Sequence, residues 1–119
     1  MNKNKSILVY GLNNSELVEL TKRKINYVLI KEDMGAMKIF EIAGGLKFSN
    51  SNVKLPKEKA ILFNNYSDKE LQKSVQGIRT FIKGGVLAVI TETSKNWTFE
   101  YLVNHLIEER EWYKANQKG

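Results

Sequence analysis

The chain has 119 residues, with 19 Lys and Arg against 13 Asp and Glu, a formal charge of +6, one His and no Cys. That length suits one domain with its own core, and the missing thiols exclude disulfides, cysteine nucleophiles, iron–sulfur clusters and Cys-bearing zinc sites. A lone His105 excludes a histidine-rich metal centre, and no apolar run approaches the ~20 residues of a membrane-spanning helix.

The start, Met1 to Lys5, leads into only a short apolar stretch, so no signal peptide and a cytoplasmic location are expected. Ser6–Tyr10, stopped by Gly11, reads as a buried strand. Asn13 and Glu16 stand at capping-box spacing and open a helix marked by Leu17, Leu20 and Ile25. Tyr27–Ile30 is a second apolar run, closed by Lys31-Glu32-Asp33. Met37, Ile39, Phe40, Ile42 and Ala43 predict a second short helix ended by Gly44-Gly45. Residues 46–59 are polar, hold the only proline and read as a connection. Ala60–Phe63 is a third strand. Ser67 and Glu70 form a second capping box. Leu71, Val75, Ile78 and Ile82 then predict a longer helix running to Gly84-Gly85. Val86–Ile90 reads as the fourth strand and Thr91–Asn96 as a polar loop. Trp97 to about Tyr113 reads as a helix with Phe99, Leu102, Val103, Leu106 and Ile107 inward. Lys114–Gly119 is expected to fray.

Strand, helix, strand, helix thus occurs twice, dividing the single domain 1–119 into a first half 5–45, the connection 46–59 and a second half 60–113. Residues 5–17 laid on 59–71 agree at Lys5/Lys59, Ile7/Ile61, Leu8/Leu62, Glu16/Glu70 and Leu17/Leu71, five of 13 positions at an offset of 54. Alternating short strands and helices favour an α/β fold, a largely parallel four-stranded sheet covered by helices with right-handed crossovers. The alternative is a ferredoxin-like α+β arrangement, which requires 35–43 to be non-helical.

A parallel sheet would gather the loops after its strands at one edge, where open α/β sheets bind ligands. Asn14, Glu32, Asp33, Asn65, Thr91 and Glu92 are the candidate ligand-binding residues of that rim, beside helix N-termini suited to an anion. The rim carries no catalytic signature. Ser15, Ser67 and Ser94 lack a partner base, because His105 is the only imidazole and its neighbours Leu102 and Leu106 face inward. The double glycines lack both phosphate-loop frames. Glu32, Asp33 and Glu92 have oxygens suited to Mg²⁺, but strand-end acids are more often solvated. Neither metal nor cofactor is expected, and no catalytic residue is assigned.

Lys22-Arg23-Lys24 is the one basic run and the candidate nucleic-acid contact, with Lys47, Lys54, Lys57 and Lys59 beside it. Cations at a helix end also suit the negative end of its dipole, which is the preferred reading. Sixteen of the 19 basic residues are Lys, whereas bidentate phosphate readers are usually Arg. Trp97 reads as a residue that fixes the start of the last helix, with base stacking as its alternative. Trp112 and Tyr113 read as packing back on the core, with a contact patch as theirs.

Ala60-Ile61-Leu62-Phe63, Ser67-Asp68-Lys69-Glu70-Leu71, Ile78-Arg79, Leu87-Ala88-Val89-Ile90-Thr91 and Asn96-Trp97-Thr98, with Leu102 and Leu106 following, resemble a small bacterial family, domain of unknown function 3783. The resemblance covers about residues 60–109. Glu92 and Ser94 stand where the family pattern has Pro and Asn. The resemblance implies a small bacterial cytosolic α/β protein and no activity. The leading functional reading is a non-catalytic binding or protein-interaction module, with a protein partner or a second copy of itself. A small-molecule or nucleotide-type anion site at the rim, on which catalysis could be built, is the second. Weak non-specific nucleic-acid binding is the third.

Overall fold

A computed structural model describes residues 5–46 and 53–116. In chain order the elements are β1 (Ser6–Tyr10), α1 (Asn14–Lys22), β2 (Tyr27–Leu29), α2 (Ile39–Ala43), β3 (Ala60–Asn64), α3 (Asp68–Ile78), β4 (Val86–Val89) and α4 (Phe99–Asn116). Short 3-10 turns, Glu32–Met34 and Ser94–Asn96, precede α2 and α4.

The strands form one sheet in the order β2-β1-β3-β4. β1 runs parallel to β2, and β3 runs parallel to β4. The central pair, β1 and β3, is antiparallel. The sheet is therefore mixed, two parallel ladders joined by one antiparallel ladder, in a small α/β domain. Both central strands are covered on both faces, which is why they read as unbroken apolar runs. Ile7, Val9, Ile61 and Phe63 point to one face and meet Leu20 of α1 and Ile78 of α3. Leu8, Tyr10, Ala60 and Leu62 point to the other and meet Ile39 and Ile42 of α2 with Phe99, Leu102 and Val103 of α4. Successive helices thus cover opposite faces, giving three layers.

The register gives the internal repeat a geometry. Leu8 pairs with Leu62, Ile7 with Phe63 and Val9 with Ile61. Residues related by the offset of 54 are therefore exchanged by a local two-fold axis at the Leu8–Leu62 pair. The repeated charges are exchanged across that axis: Lys5 Nζ meets Glu70 at 2.9 Å, and Lys59 Nζ meets Glu16 at 2.6 Å. Over the α2/α4 face the symmetry recurs. The Ile39 N–H donates to the Trp97 carbonyl and the Phe99 N–H to the Met37 carbonyl, both at 2.9 Å, with Lys38 opposite Thr98. The two helices start from one shared bridge.

Both capping boxes form, Asn13 with Glu16 and Ser67 with Glu70. The bounds of α3 and α4 differ from expectation. α3 ends at Ile78 and does not reach Gly84-Gly85. The Arg79 guanidinium folds back onto the Ile82 and Gly84 carbonyls at 3.2 and 2.6 Å, holding a turn in which the Ile82 N–H still reaches the Ile78 carbonyl. Ile82 stays buried, so its helical spacing reflects the turn and not a longer helix. α4 begins at Phe99, two residues after Trp97, because the Thr98 hydroxyl accepts the Tyr101 N–H at 3.2 Å and caps it. It then continues through Lys114 to Asn116, where fraying was expected.

Candidate functional site

Because β1 and β3 are antiparallel, the loops after β1 and β2 leave the sheet at one end and those after β3 and β4 at the opposite end. The gathering at one edge expected of a parallel sheet does not occur. Asn14, Glu32 and Asp33 belong to the first end, and Asn65, Thr91 and Glu92 to the second. Asn14 opens α1 beside Val18 and Lys22 in a shallow groove. Asp33 lies in its 3-10 turn with Oδ1 buried and without a hydrogen-bond partner among the described residues. Asn65 turns the chain out of β3 at φ 65°, a left-handed conformation that Asn tolerates. Thr91 and Ser94 close a reciprocal turn. The Thr91 N–H donates to Ser94 Oγ and the Ser94 N–H to Thr91 Oγ1, both at 2.9 Å. Glu92 pairs with Lys95 at 2.7 Å.

The first end holds a cleft of about 670 Å³ whose walls include Tyr10, Gly11, Leu29, Lys31, Glu32 and Lys57. Glu32 is the one expected rim residue found in it. Lys59 also borders the cleft but is committed to Glu16 and to the Lys83 carbonyl. The Tyr10 hydroxyl donates to the Pro56 carbonyl at 3.2 Å, and burial followed by the Glu32 charge raises its pKa.

The basic run is split by its middle residue. Arg23 pairs with Glu19 at 2.8 Å, donates to the Gly77 carbonyl and Thr80 Oγ1 at 3.3 Å, and lies 4.5 Å from the Phe81 ring. It ties α1 to the end of α3, leaving Lys22 and Lys24 as separate exposed cations. Lys54, Lys57 and Lys59 lie in the connection, and Lys47 lies outside the described residues.

The largest exposed apolar groups gather on α4. Its 18 residues span about 27 Å. Phe99, Leu102 and Val103 are buried, Leu106 and Ile107 are half-buried against the same core, and Arg110 reaches Glu58 at 3.0 Å. Past Arg110 every described residue is exposed. The helix outruns the core, so Trp112 and Tyr113 do not pack back on it as expected. They meet each other edge-to-face at 5.1 Å and stand 61% and 57% exposed.

On the side opposite Leu102 and Leu106, the 4-3-4 spacing of Tyr101, His105, Glu108 and Trp112 makes a single outward stripe. Tyr101 is 55% exposed. Trp97 anchors the head of the stripe. It precedes the Thr98 cap, packs against the core cluster to which Leu102 belongs, and presents its ring edge-to-face to Tyr101 at 4.8 Å and His105 at 5.4 Å. Tyr101 and His105 lie nearly parallel, 6.2 Å apart. The reading of Trp97 as the residue that fixes the helix start agrees with this geometry. Tyr101 is absent from the sequence expectations, although the 4-3-4 spacing that marks it was there to be read.

Among the described residues no group of three or more His, Asp and Glu is placed to hold a metal ion, and no helix is long and apolar enough to cross a membrane. The stretch that runs from Lys59 through β3, α3, β4 and most of α4 is one strand–helix–strand–helix half, and it carries the whole outward stripe. Residues 59–113 match the domain of unknown function DUF3783. No curated protein and no solved structure matches the chain. The resemblance read over about 60–109 is the same family. The DUF3783 segment is half of this sheet, and β1 completes the pairing of its strand β3.

Proposed function

We propose that the protein is a non-catalytic protein-interaction module that docks its partner on the outer face of α4. The observation that carries this reading is the exposure of Tyr101 and Trp112, both more than half open, on the outward stripe of a helix whose inner face already has its core. An aromatic residue buries roughly 150–250 Å² when covered. Hiding the exposed half of each such residue would contribute roughly 2–3 kcal/mol per residue at about 25 cal/mol per Å². Aromatic residues are also the type enriched at interface centres. The polar groups nearest to chemistry are spent on structure: Thr91 on Ser94, Glu16 on Lys59 and Arg23 on the α1–α3 contact. A bacterial, cytoplasmic setting is part of this reading, as the resemblance over about residues 60–109 implies.

A photo-reactive phenylalanine placed at Tyr101 or Trp112 should give covalent protein adducts in cells, and the same probe at exposed Lys69 on α3 should not. No adduct from either α4 position would overturn the reading. A second reading rests on the cleft at the β1–β2 end, where Lys31 and Lys57 line the same depression as Gly11 and Leu29. These groups suit a small anion with an apolar portion. A thermal-shift panel of nucleotides and phosphorylated metabolites at two salt concentrations tests it. A salt-resistant rise of several degrees supports a site there, and a flat panel removes it.

A further inference from the structure

The outward stripe of α4 is self-complementary when read in both directions. Tyr101 and Trp112 are its outer members, and His105 and Glu108 its inner members. Both pairs are centred between positions 106 and 107. If two copies of α4 lie antiparallel about a two-fold axis through that point, Tyr101 of one protomer faces the partner's Trp112. His105 then faces the partner's Glu108, and each contact occurs twice. The 4-3-4 spacing is that of a two-stranded helical seam, in which apolar residues recur every 3.5 positions on average. A two-fold interface requires this property, since the same patch must serve as both surfaces.

We propose, building on the α4 docking face, that its partner is a second copy of this chain packed antiparallel along the stripe. Charge favours this occupant. α4 has four acidic residues, Glu100, Glu108, Glu109 and Glu111, and two basic ones, Arg110 and Lys114. A like-for-like parallel pairing would set Glu108 against Glu108 along the seam. The antiparallel pairing instead places each Glu108 opposite an imidazole that already approaches Glu109 of its own helix at 3.7 Å. The uncharged Asn104 flanks the seam beside the partner's Glu111. Access is open, because Tyr101, Asn104, Glu108 and Trp112 are all exposed.

The area sets the strength. Two aromatic residues from each copy, with the groups between them, reach only the low end of specific interfaces, near 1,000 Å² in total. The dimer is therefore reversible and in the micromolar range, not obligate. Trp97 is already packed on the core and holds Tyr101 and His105 in place from beneath, so the seam is ordered before docking.

Sedimentation of the full chain from low micromolar to several hundred micromolar tests this. The expected result is a concentration-dependent monomer–dimer equilibrium. Trp112→Ala and Tyr101→Ala should each raise its dissociation constant about tenfold or more, with thermal unfolding of Trp112→Ala unchanged because that side chain lies beyond the core. Glu108→Lys and His105→Glu should each weaken the dimer, the first by setting a cation against the imidazole and the second by opposing two carboxylates. The double variant H105E/E108K should restore it, since a carboxylate then faces a lysine ammonium. A wild-type chain that stays monomeric throughout, a dimer indifferent to Trp112→Ala, or a double variant no stronger than the singles would each overturn the proposal. A monomeric chain whose Tyr101 probe captures a different protein would end self-pairing and leave the docking face standing. A monomeric chain with no adduct would end both.

Discussion

Glu16 and Glu70 occupy equivalent places in the two halves but not equivalent surroundings. The Glu16 side chain is 6% exposed and that of Glu70 is 45%. Lys5, then the Ser67 N–H and hydroxyl, draw the Glu70 carboxyl down to about 2. A carboxyl lowered on folding contributes stability above its unfolded value, about 4.3, and loses that contribution as pH falls toward the folded value. Denaturation of wild type and Glu70→Gln at intervals from pH 6 to pH 2 should therefore give curves that converge as the pH falls. Parallel curves would mean that Glu70 contributes no pH dependence. Glu16→Gln, by contrast, takes a charge from a buried pair and weakens a helix cap. It should cost about 3 kcal/mol at neutral pH, well beyond the effect at exposed Glu70. The identities Lys5/Lys59 and Glu16/Glu70 were plain in the sequence. Their exchange across the two-fold axis was not, because it depends on the antiparallel register of strands about fifty residues apart.

Among the elements, the turn between α3 and β4 shows what periodicity reads well and what it misses. The spacing of Leu71, Val75, Ile78 and Ile82 correctly assigned all four to the apolar side of that face. It could not show that the backbone leaves the helix after Ile78, because one further turn delivers Ile82 to the same place. The two glycines then serve the path into β4 and not a helix end. Gly84 and Gly85 both have positive φ, 73° and 80°. A Cβ at Gly84 meets nothing within 4 Å, whereas one at Gly85 would lie 2.6 Å from the Lys59 carbonyl oxygen. Gly84→Ala should cost about 1 kcal/mol, the conformational term alone. Gly85→Ala should cost roughly 3 kcal/mol or more, because backbone at the start of β3 must also move. Urea denaturation of the two variants separates these terms, and equal losses would show that the Lys59 contact relaxes freely. α4 shows the same limit at the other end of the chain. Its inner residues were legible from their spacing, but helical spacing says nothing about where the core beneath a helix stops, so Trp112 and Tyr113 were assigned to packing that is not there.

For the molecule as a whole, the alternation of strands and helices was enough for the α/β class. The relative direction of the two halves was not legible, and that direction decides whether four loops make one rim or two ends. Ala60–Asn64 reads the same whether it enters the sheet parallel or antiparallel to Ser6–Tyr10. The consequence is testable. β3 is a central strand only because β1 fills its open edge along five residues, and Lys59 keeps its carboxylate partner only because α1 supplies Glu16. A fragment of residues 59–113 would expose that edge and the faces of Leu62 and Phe63 near it. At about 55 residues, it falls where a core alone is marginal. The fragment should show no cooperative unfolding as a monomer at low concentration, by circular dichroism and sedimentation together. Adding a fragment of residues 1–58 in equal amount should restore the far-ultraviolet spectrum of the intact chain. The five-residue ladder and both crossed ion pairs, Lys5–Glu70 and Lys59–Glu16, lie between the fragments and need no covalent link to form. A 59–113 fragment that melts cooperatively as a monomer would show that the half is a folding unit in its own right, and that the two-fold junction joins finished parts instead of completing them.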